Sequence, residues 1–366
     1  MSYGTVQAEK MTTESGYSLG AGNASSFKNR IINGEMDIDQ RNNGAIVSAS
    51  GGGAYAVDRF VSFASGGGVY TTQRSTDVPT GQSFVNSIAS TVTTTDSPTG
   101  GDYYLIQQSI EGFNISDLRW GTASARPVTI SFWVKSSIAG TYTVAFRNSA
   151  FNRSYRATYT INSANTWEFK TITIPGDTTG TWLINNDTGI RVGFTLGAGS
   201  DFIDTGNVWS ALEDFAATGQ TQWIATSGAT FFLTGVQVEV GTVATSWDFR
   251  SIGTELALCQ RYGLRIEQQQ NTGGTSATST TTNVRFTFPV TMRATPTAGL
   301  ITGGTWIVGN DYSANYTANP AGIGAQQLTP IGGRVNITGF PSFGSNIFVA
   351  GSDVTGTAVM FMSAEL

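Results

Sequence analysis

Period-two alternation of apolar and polar residues is the feature that most constrains the fold of this chain. Every second residue from Val128 to Val134 is apolar, and Trp133 and Lys135 belong to the other, mostly polar set. Successive side chains of a β-strand point to opposite faces, so this pattern predicts a half-buried strand. Another apolar run covers residues 103–110. We predict that these two strands, separated by a turn at residues 121–127, are neighbours in one sheet.

Similar runs recur along most of the chain and predict an all-β fold. They cover residues 56–64, 68–74, 83–94, 141–148, 155–161, 167–174, 190–196 and 230–240. Charged residues make up only 12% of the chain and glycine accounts for 45 residues, a composition that suits short strands joined by tight turns. About ten such strands build a two-sheet antiparallel sandwich. Phe169 is out of phase with Ile172, which predicts a bulge between them.

Helix is expected only near residues 255–262. Thr254 can cap its first turn, Glu255 suits the positive end of the helix dipole, and Gly263 is placed to end it. Further strands follow, around a Ser/Thr/Gly tract at residues 272–282 that we predict to be an exposed hairpin loop. The chain is thus divided into an N-terminal arm (1–26), a sandwich domain (27–250), a connecting helix (251–263) and a smaller C-terminal β-sandwich domain (264–366).

Composition excludes several classes of function. Histidine is absent and Cys259 is the single cysteine, so the chain contains no Ser-His-Asp triad, no Cys-His pair and no imidazole metal site. The net charge of −5 comes without any basic block, which argues against nucleic acid as a partner. No apolar run approaches the ~18 residues of a membrane-spanning helix, and residues 1–22 lack the pattern of an export signal. We expect a protein made in the cytoplasm, without membrane insertion.

Several motifs, in a fixed order, resemble one family. They include Asn-Arg-Ile-Ile-Asn-Gly-Glu-Met-Asp at residues 29–37, Asp-Arg-Phe at 58–60, Asp-Leu-Arg-Trp-Gly at 117–121, Pro-Gly-Asp-Thr-Thr-Gly-Thr-Trp at 175–182 and Glu-Leu-Ala-Leu-Cys-Gln-Arg-Tyr at 255–262. They resemble bacteriophage tail-fibre or receptor-binding proteins that share a jelly-roll domain with carbohydrate-binding modules. The resemblance implies a homotrimeric virion fibre, an arm that docks onto a phage tail or baseplate protein, and outer modules that contact polysaccharide on the host cell surface.

The same resemblance raises the question of a calcium ion. In the sugar-binding modules an acidic residue of the opening motif helps to hold calcium, and Asp37 takes that position here. Glu35, Asp37 and Asp39 are expected to alternate onto one strand face, and calcium requires oxygen ligands of this kind. The last strand, however, has Thr234 and Gly235 where the modules place an acidic residue. We therefore expect no cofactor, and Asp37 is the one candidate for a metal ligand.

Sugar recognition needs flat aromatic faces together with a few polar groups. Trp209 and Trp223 belong to a segment with an acidic loop that contains Asp201, Asp204, Glu213 and Asp214. We predict that Trp209, Trp223, Asp201 and Asp204 form a glycan-binding cluster. Trp133, on the polar face of its strand, is the second candidate.

Three hypotheses about function follow. The favoured one is a phage tail fibre that binds host glycan without catalysis. The second is a structural virion decoration, such as a head fibre or baseplate protein. The third is a glycan depolymerase that uses paired carboxylates of the acidic loop. We expect no enzyme, because the repeat of a β-helical depolymerase is not found in the sequence.

Overall fold

The computed structural model describes residues 11–12, 18–19, 28–267, 272–278, 280–300, 306–310, 314–318, 322–339, 348–352 and 359–366. The chain divides into two compact units, Met1–Glu255 together with Leu366, and Leu256–Glu365. Most of the expected N-terminal arm lies outside the described residues. Its described part is a short antiparallel pair, β1 (Met11–Thr12) and β2 (Ser18–Leu19).

The strands of the first unit form two large antiparallel sheets. In chain order they are β3 (Val47–Ala49), β4 (Gly52–Val57), β5 (Phe60–Ser65), β6 (Val69–Ser75), β7 (Ser87–Thr94), β8 (Tyr103–Glu111), β9 (Val128–Ser136), β10 (Gly140–Arg147), β11 (Ser154–Ile161), β12 (Glu168–Ile174), β13 (Thr188–Ala198), β14 (Ile203–Asp204), β15 (Trp209–Ser210), β16 (Ala216–Ala217) and β17 (Thr230–Val240). One sheet has seven strands in the order β15-β11-β10-β13-β8-β5-β4, and the other has six in the order β12-β9-β17-β7-β6-β3. Strands β14 and β16 form a small parallel pair. Short 3-10 helices cover Gly112–Asn114, Ser116–Leu118, Ser200–Phe202 and Trp223–Ala225.

The two large sheets enclose one apolar core. Phe132 of the six-stranded sheet contacts Tyr159 and Phe194 of the seven-stranded sheet, with ring centroids 5.0 Å away in both cases. All three rings are at most 6% exposed. Each strand contributes its apolar set to this core and turns its other set outward, as the alternation requires. The predicted fold class, an all-β antiparallel jelly-roll sandwich followed by a smaller β-sandwich, is confirmed.

The predicted pairing of the strands at residues 103–110 and 128–135 is wrong. Strand β8 pairs with β13 and β5 in the seven-stranded sheet, whereas β9 pairs with β12 and β17 in the six-stranded sheet. Alternation determines which face of a strand is buried, but it carries no information about which strand lies alongside.

The predicted bulge in residues 167–174 is also wrong. The register between β12 and β9 is continuous, with Phe169 opposite Trp133 and Ile172 opposite Ile130. Ile172 packs against the core, and Phe169 lies on the outer face with Trp133. The irregularity occurs in β17 instead, between Thr234 and Gln237.

The opening motif at residues 29–37 is an irregular segment and not a strand. Asn33 has a φ of 59°, and its side-chain amide donates to the carbonyl oxygens of Ile38 at 2.8 Å and Asp58 at 2.9 Å. A methyl group on Gly34 would lie 2.2 Å from the carbonyl oxygen of Val236, so only glycine fits there. The motif therefore closes one end of the sandwich through buried hydrogen bonds.

The second unit is a smaller pair of sheets. It contains helix α1 (Ile252–Gln260), which begins in the first unit, and the strands β18 (Gly263–Glu267), β19 (Thr272–Thr278), β20 (Thr281–Thr287), β21 (Thr297–Leu300), β22 (Trp306–Asn310), β23 (Ala314–Ala318), β24 (Gly322–Thr329), β25 (Gly332–Thr338), β26 (Phe348–Ser352) and β27 (Val359–Ser363). The sheet orders are β18-β27-β21 and β23-β22-β26-β19-β20-β25-β24. Val284, Val335 and Met360 lie in the core between them.

The Ser/Thr/Gly tract at residues 272–282 is mostly strand, which corrects the expected exposed loop. Residues of β19 pair with β20 on one side and with β26 on the other. Threonine is β-branched and favours extended backbone, so a polar tract rich in threonine can form strands once partner strands are present. No helix among the described residues is long and apolar enough to cross a membrane.

Candidate functional site

A long loop, residues 199–222, crosses the outer face of the seven-stranded sheet. Phe215 of this loop is 3% exposed and stacks on Tyr103 of β8, with ring centroids 4.8 Å apart. Phe202 packs edge-on against both rings, at 4.4 Å from Phe215 and 5.6 Å from Tyr103. The hydroxyl of Thr195, on β13, donates to the carbonyl oxygen of Phe215. These contacts hold the loop against the sheet, so the side chains that it carries have defined positions.

Arg156 of β11 binds the same loop from the sheet. Its side chain is fully buried, and Nη1 donates to Oδ2 of Asp214 at 2.8 Å and to the hydroxyl of Ser210 at 2.7 Å. Nε and Nη2 donate to the carbonyl oxygen of Thr205 at 2.9 and 2.7 Å. Each nitrogen of the guanidinium is thus bonded, as a buried ion requires. Arg156 and Asp214 therefore support the loop.

Arg147 and Arg191 lie together on this outer face. They are cross-strand partners on β10 and β13, and in both strands the alternation directs them away from the core. Arg147 is 3% exposed; its Nη1 donates to Oε1 of Glu213 at 2.9 Å, and its Nη2 donates to Oε1 of Gln107. The Nε of Arg147 is buried without a hydrogen-bond partner. Arg191 is half-buried and donates from Nη1 to the carbonyl oxygen of Asn148 at 3.1 Å.

The charges of this site are unbalanced. Burial lowers the pKa of Arg147 to about 9, an effect that Glu213 partly offsets, and burial also lowers the pKa of Arg191. Burial raises the pKa of Glu213, although both guanidiniums act to lower it. Like charges directly opposite each other destabilise an antiparallel pair. Arg147 and Arg191 have one carboxylate, Glu213, between them, whereas the neighbouring Arg156 is paired with two, Asp204 and Asp214.

Phe151 forms the open side of the site. It lies in the turn between β10 and β11, is 44% exposed and has a φ of 56°, a conformation that bulky residues rarely adopt. The guanidinium carbon of Arg191 is 4.3 Å from the centre of its ring. Oδ1 of Asn148 accepts hydrogen bonds from the backbone amides of Asn152 at 3.1 Å and Arg153 at 3.2 Å and so fixes the turn. Backbone strain of this kind is concentrated at functional sites.

Gly193 lies beside the two arginines and is buried. It follows Arg191 on the same face of β13 and pairs with Gln107 of β8. The nearest atoms to a methyl group placed there would be Oε1 of Gln107 and Cδ1 of Leu105, both at 3.8 Å, which is ordinary contact. We use the name arginine site for Gln107, Arg147, Phe151, Arg191 and Glu213.

The arginine site combines the groups that recognise a sugar. Guanidinium groups donate paired hydrogen bonds to a carboxylate and single ones to hydroxyls. Amide and carboxylate oxygens accept hydrogen bonds from hydroxyls, and an aromatic ring can cover the apolar side of a pyranose. The arrangement thus suits binding of a polar, ring-shaped ligand that carries negative charge.

The two tryptophans predicted to bind glycan lie in separate clusters. Trp209 is half-buried, packs against Trp120 at 5.3 Å and Trp182 at 5.6 Å, and donates from Nε1 to the carbonyl oxygen of Pro175 at 2.9 Å. Trp223 is fully buried in the core. The prediction that Trp223 contacts a ligand is therefore wrong, because its ring has no exposed face. Only some of the aromatic side chains in a long loop segment lie at the surface.

The other predicted residues are also dispersed. Asp201 is exposed on a 3-10 helix, and Asp204 is 3.5 Å from Arg156 in a partly exposed ion pair. Trp133 lies on the outer face of the six-stranded sheet, whereas the loop that contains both aspartates crosses the seven-stranded sheet. The structure does not bring Trp133 together with these carboxylates.

The candidate calcium ligand Asp37 is occupied by protein contacts. Its Oδ1 accepts a hydrogen bond from Asn86 at 2.8 Å, and burial raises its pKa. Asp39 caps a turn by accepting from the amides of Asn42 at 3.0 Å and Gly44 at 2.6 Å. The expected alternation of Glu35, Asp37 and Asp39 on a strand face is wrong, because this segment is irregular. Within the described part of the chain no group of three or more acidic or cysteine side chains is placed to hold a metal ion.

Solved structures similar to this chain include a phage tailspike domain and carbohydrate-binding modules. A tailspike domain described as enzymatically active, from bacteriophage CBA120, is 14% identical, with a TM-score of 0.32, and the match covers 59% of this chain and 22% of that one. A family 4 carbohydrate-binding module is 17% identical, with a TM-score of 0.28, covering 57% and 98%. A family 11 module of a Clostridium thermocellum cellulase is 16% identical, with a TM-score of 0.27, covering 54% and 99%. No family model and no curated protein matches. The fold described above rests on the strand pairing of this chain itself.

None of the five residues of the arginine site is among the predicted glycan-binding residues. Arg147 and Arg191 both alternate with core residues of their strands, so each is recognisable as an outward-facing arginine. Their proximity follows from the pairing of β10 with β13, which the alternation does not contain. Phe151 carries a weaker signal, as an aromatic residue in the polar turn Asn148 to Asn152.

Proposed function

We propose that this chain is a virion fibre protein that binds polysaccharide on a bacterial surface through the arginine site and does not cleave it. The observation that carries the proposal is the pairing of Arg147 with Arg191 around a single carboxylate, next to the strained and exposed ring of Phe151. Both features cost stability. A ligand that supplies negative charge and an apolar ring face would offset both costs.

The ligand class follows from the charge. A sugar that carries a carboxylate, such as a uronate, would place its carboxylate against Arg191 and its ring against Phe151. Glu213, whose side chain is 31% exposed, would accept hydrogen bonds from its hydroxyls. Because charge-assisted hydrogen bonds in a partly buried site are strong, this interaction would dominate affinity.

Absence of catalysis is part of the proposal. Hydrolysis of a glycosidic bond requires two carboxyl groups on opposite sides of the bond. In the loop at residues 199–222, Asp204 and Asp214 are bound to Arg156, and Glu213 is bound to Arg147. Three of the four carboxylates in this loop are engaged in this way and only Asp201 is outside an ion pair, which favours binding over acid–base chemistry.

The place of the protein in a virion rests on the sequence motifs. Their resemblance to tail-fibre proteins supports a homotrimer, assembled in the bacterial cytoplasm, whose N-terminal arm attaches to a tail or baseplate protein. Tail location is favoured over a head fibre or baseplate decoration because the arginine site has the features of a receptor-binding surface.

The test is binding of the purified full chain to an array of bacterial capsular and O-chain polysaccharides, some neutral and some containing uronate. We expect salt-sensitive binding to acidic polysaccharides, loss of that binding in Arg191→Met, and no increase in reducing ends. Equal binding by wild type and Arg191→Met would contradict the proposal that the arginine site binds the polysaccharide. New reducing ends would establish the depolymerase alternative instead.

A further inference from the structure

Two polar residues of β17 are completely buried on the outer face of the six-stranded sheet. Gln237 and Glu239 alternate with the core residues Val236 and Val238, so the alternation directs their side chains away from the core. Both are nevertheless 0% exposed, because the segment at residues 245–248 lies over them and is hydrogen-bonded to both. This cover brings a hydroxyl, a carboxylate and a side-chain amide together out of water.

The carboxylate of Glu239 binds a hydroxyl with one oxygen and an amide nitrogen with the other. Its Oε2 accepts a hydrogen bond from the hydroxyl of Thr245 at 2.6 Å, and its Oε1 accepts one from Nε2 of Gln237 at 2.9 Å. The backbone amide of Thr245 also donates to Oε1, at 2.8 Å. A carboxylate in this position can take a proton from a nucleophilic hydroxyl and deliver it to a leaving nitrogen.

The side-chain carbonyl of Gln237 is polarised by a backbone donor. Its Oε1 accepts a hydrogen bond from the amide of Asp248 at 2.9 Å. Donors of this kind stabilise the oxyanion that forms when a hydroxyl attacks an acyl carbon. Nε2 of Gln237 lies 3.5 Å from the carbonyl oxygen of Thr245, so the side-chain amide is packed against the residue that carries the hydroxyl. Holding two groups together in this way favours a reaction between them.

An ammonium lies on the other side of the hydroxyl. Nζ of Lys28 donates to Oγ1 of Thr245 and to the carbonyl oxygen of Ser246, the latter at 2.6 Å. Positive charge here stabilises the negative charge that Oγ1 gains as its proton leaves. Thr245 is only 2% exposed, so water is kept from the acyl carbon and from an ester once it has formed.

We propose that Thr245 and Gln237 become joined by an ester bond within the folded chain. Oγ1 of Thr245 attacks Cδ of Gln237 while Glu239 takes the hydroxyl proton. Glu239 then passes this proton to Nε2: the Oγ1–Cδ bond forms, the Cδ–Nε2 bond breaks, and ammonia leaves. Glu239 ends as the carboxylate that it was, and no oxidant, reductant or cofactor is consumed. The bond locks the segment that follows β17 onto the outer face of the sheet.

The experiment is mass spectrometry of the full chain, freshly purified and after prolonged incubation in the folded state. We expect a mass lower than that of the sequence by one ammonia molecule. After denaturation, a glutamate-specific protease cuts between the two residues at Glu239, and the peptides that contain Gln237 and Thr245 should remain joined. Neutral hydroxylamine should separate them, because it attacks esters much faster than amides.

Matched variants distinguish this reaction from a set of hydrogen bonds that only holds the segment. Thr245→Val removes the nucleophile and Glu239→Gln removes the base, so both should have the full mass of their sequence. Thr245→Ser keeps a hydroxyl and should retain the loss of ammonia. Thr242→Val, at an exposed threonine of the preceding turn, should retain it as well.

Two results would overturn the proposal. One is the full sequence mass in wild type after incubation. The other is a loss of ammonia that persists in Thr245→Val, because Lys28 or another group would then be the nucleophile.

Discussion

The guanidinium carbon of Arg191 lies 4.3 Å from the centre of the Phe151 ring, which joins the half-buried cation of the arginine site to its exposed aromatic residue. Neither residue is needed to fill the core. Arg191 is held next to another arginine, and Phe151 is held in a left-handed backbone conformation. The contact therefore combines two features that folding alone would disfavour, and it is the starting point for the mutational predictions.

Arg191→Met removes a cation and retains an unbranched side chain of similar length. Affinity for an acidic polysaccharide should fall about tenfold or more, because a hydrogen bond to a charged group contributes roughly 1.5–3 kcal/mol. Thermal stability should stay the same or rise, because repulsion from Arg147 is relieved. Titration calorimetry and thermal denaturation measure the two effects. Arg126→Gln, at an arginine with a 50% exposed side chain, is the control. Equal losses of affinity in the two variants would refute the assignment of Arg191 as a ligand-binding residue.

Phe151→Asn separates binding from folding at the strained turn. Asparagine tolerates the left-handed region, so the melting temperature should be unchanged or slightly higher. Polysaccharide binding should be lost with the ring. Differential scanning calorimetry and the binding assay are carried out on the same sample. A large drop in melting temperature with binding intact would mean that Phe151 is a folding residue.

Glu35→Gln should alter the pH dependence of stability. Burial, with Asp37 and Glu255 nearby, raises the pKa of Glu35 from its ordinary value of 4.5 to about 7. A raised pKa means that the folded state holds the proton more tightly, so the stabilisation is complete below about pH 4.5 and is lost as the pH rises through about 7. Between pH 5 and 8, the melting temperature of Glu35→Gln should therefore rise by about 3 °C or more relative to that of wild type. Melting curves of both proteins are measured across this range. A difference in melting temperature that does not change with pH would disprove the raised pKa of Glu35.

Asp177→Asn should destabilise the first unit strongly. Asp177 is 1% exposed and accepts two hydrogen bonds from Arg153, at 2.7 and 2.6 Å, with a third from Nε1 of Trp182 at 3.2 Å. Removing one partner of a buried ion pair costs about 3–5 kcal/mol. Urea denaturation of Asp177→Asn should show this loss.

Asp117→Asn is the matched control for that change. Asp117 is ion-paired with Arg30 and Arg126, but its side chain is 42% exposed. Exposed pairs contribute about 1 kcal/mol or less, so this variant should be nearly as stable as wild type. Similar losses of stability in both variants would show that burial does not determine how much each ion pair contributes to the free energy of unfolding.

The sequence motifs at residues 29–37 and 175–182 are largely structural in this chain. Asn33 and Gly34 close one end of the sandwich, and Asp177 with Trp182 anchors a turn to Arg153. The residues of the arginine site lie outside these motifs. These motifs thus supply residues that hold the scaffold together.

The sequence by itself determined where most strands of the first unit lie, which of their side chains face the core, and that catalysis by histidine or cysteine-histidine pairs is excluded. These are local properties, because alternation and composition depend only on neighbouring residues. The tertiary structure alone decided that β8 and β9 belong to different sheets, that Trp223 is buried, and that Arg147 lies beside Arg191. Strand pairing is chosen by closure of the whole core, so no local pattern records which distant residues it brings together.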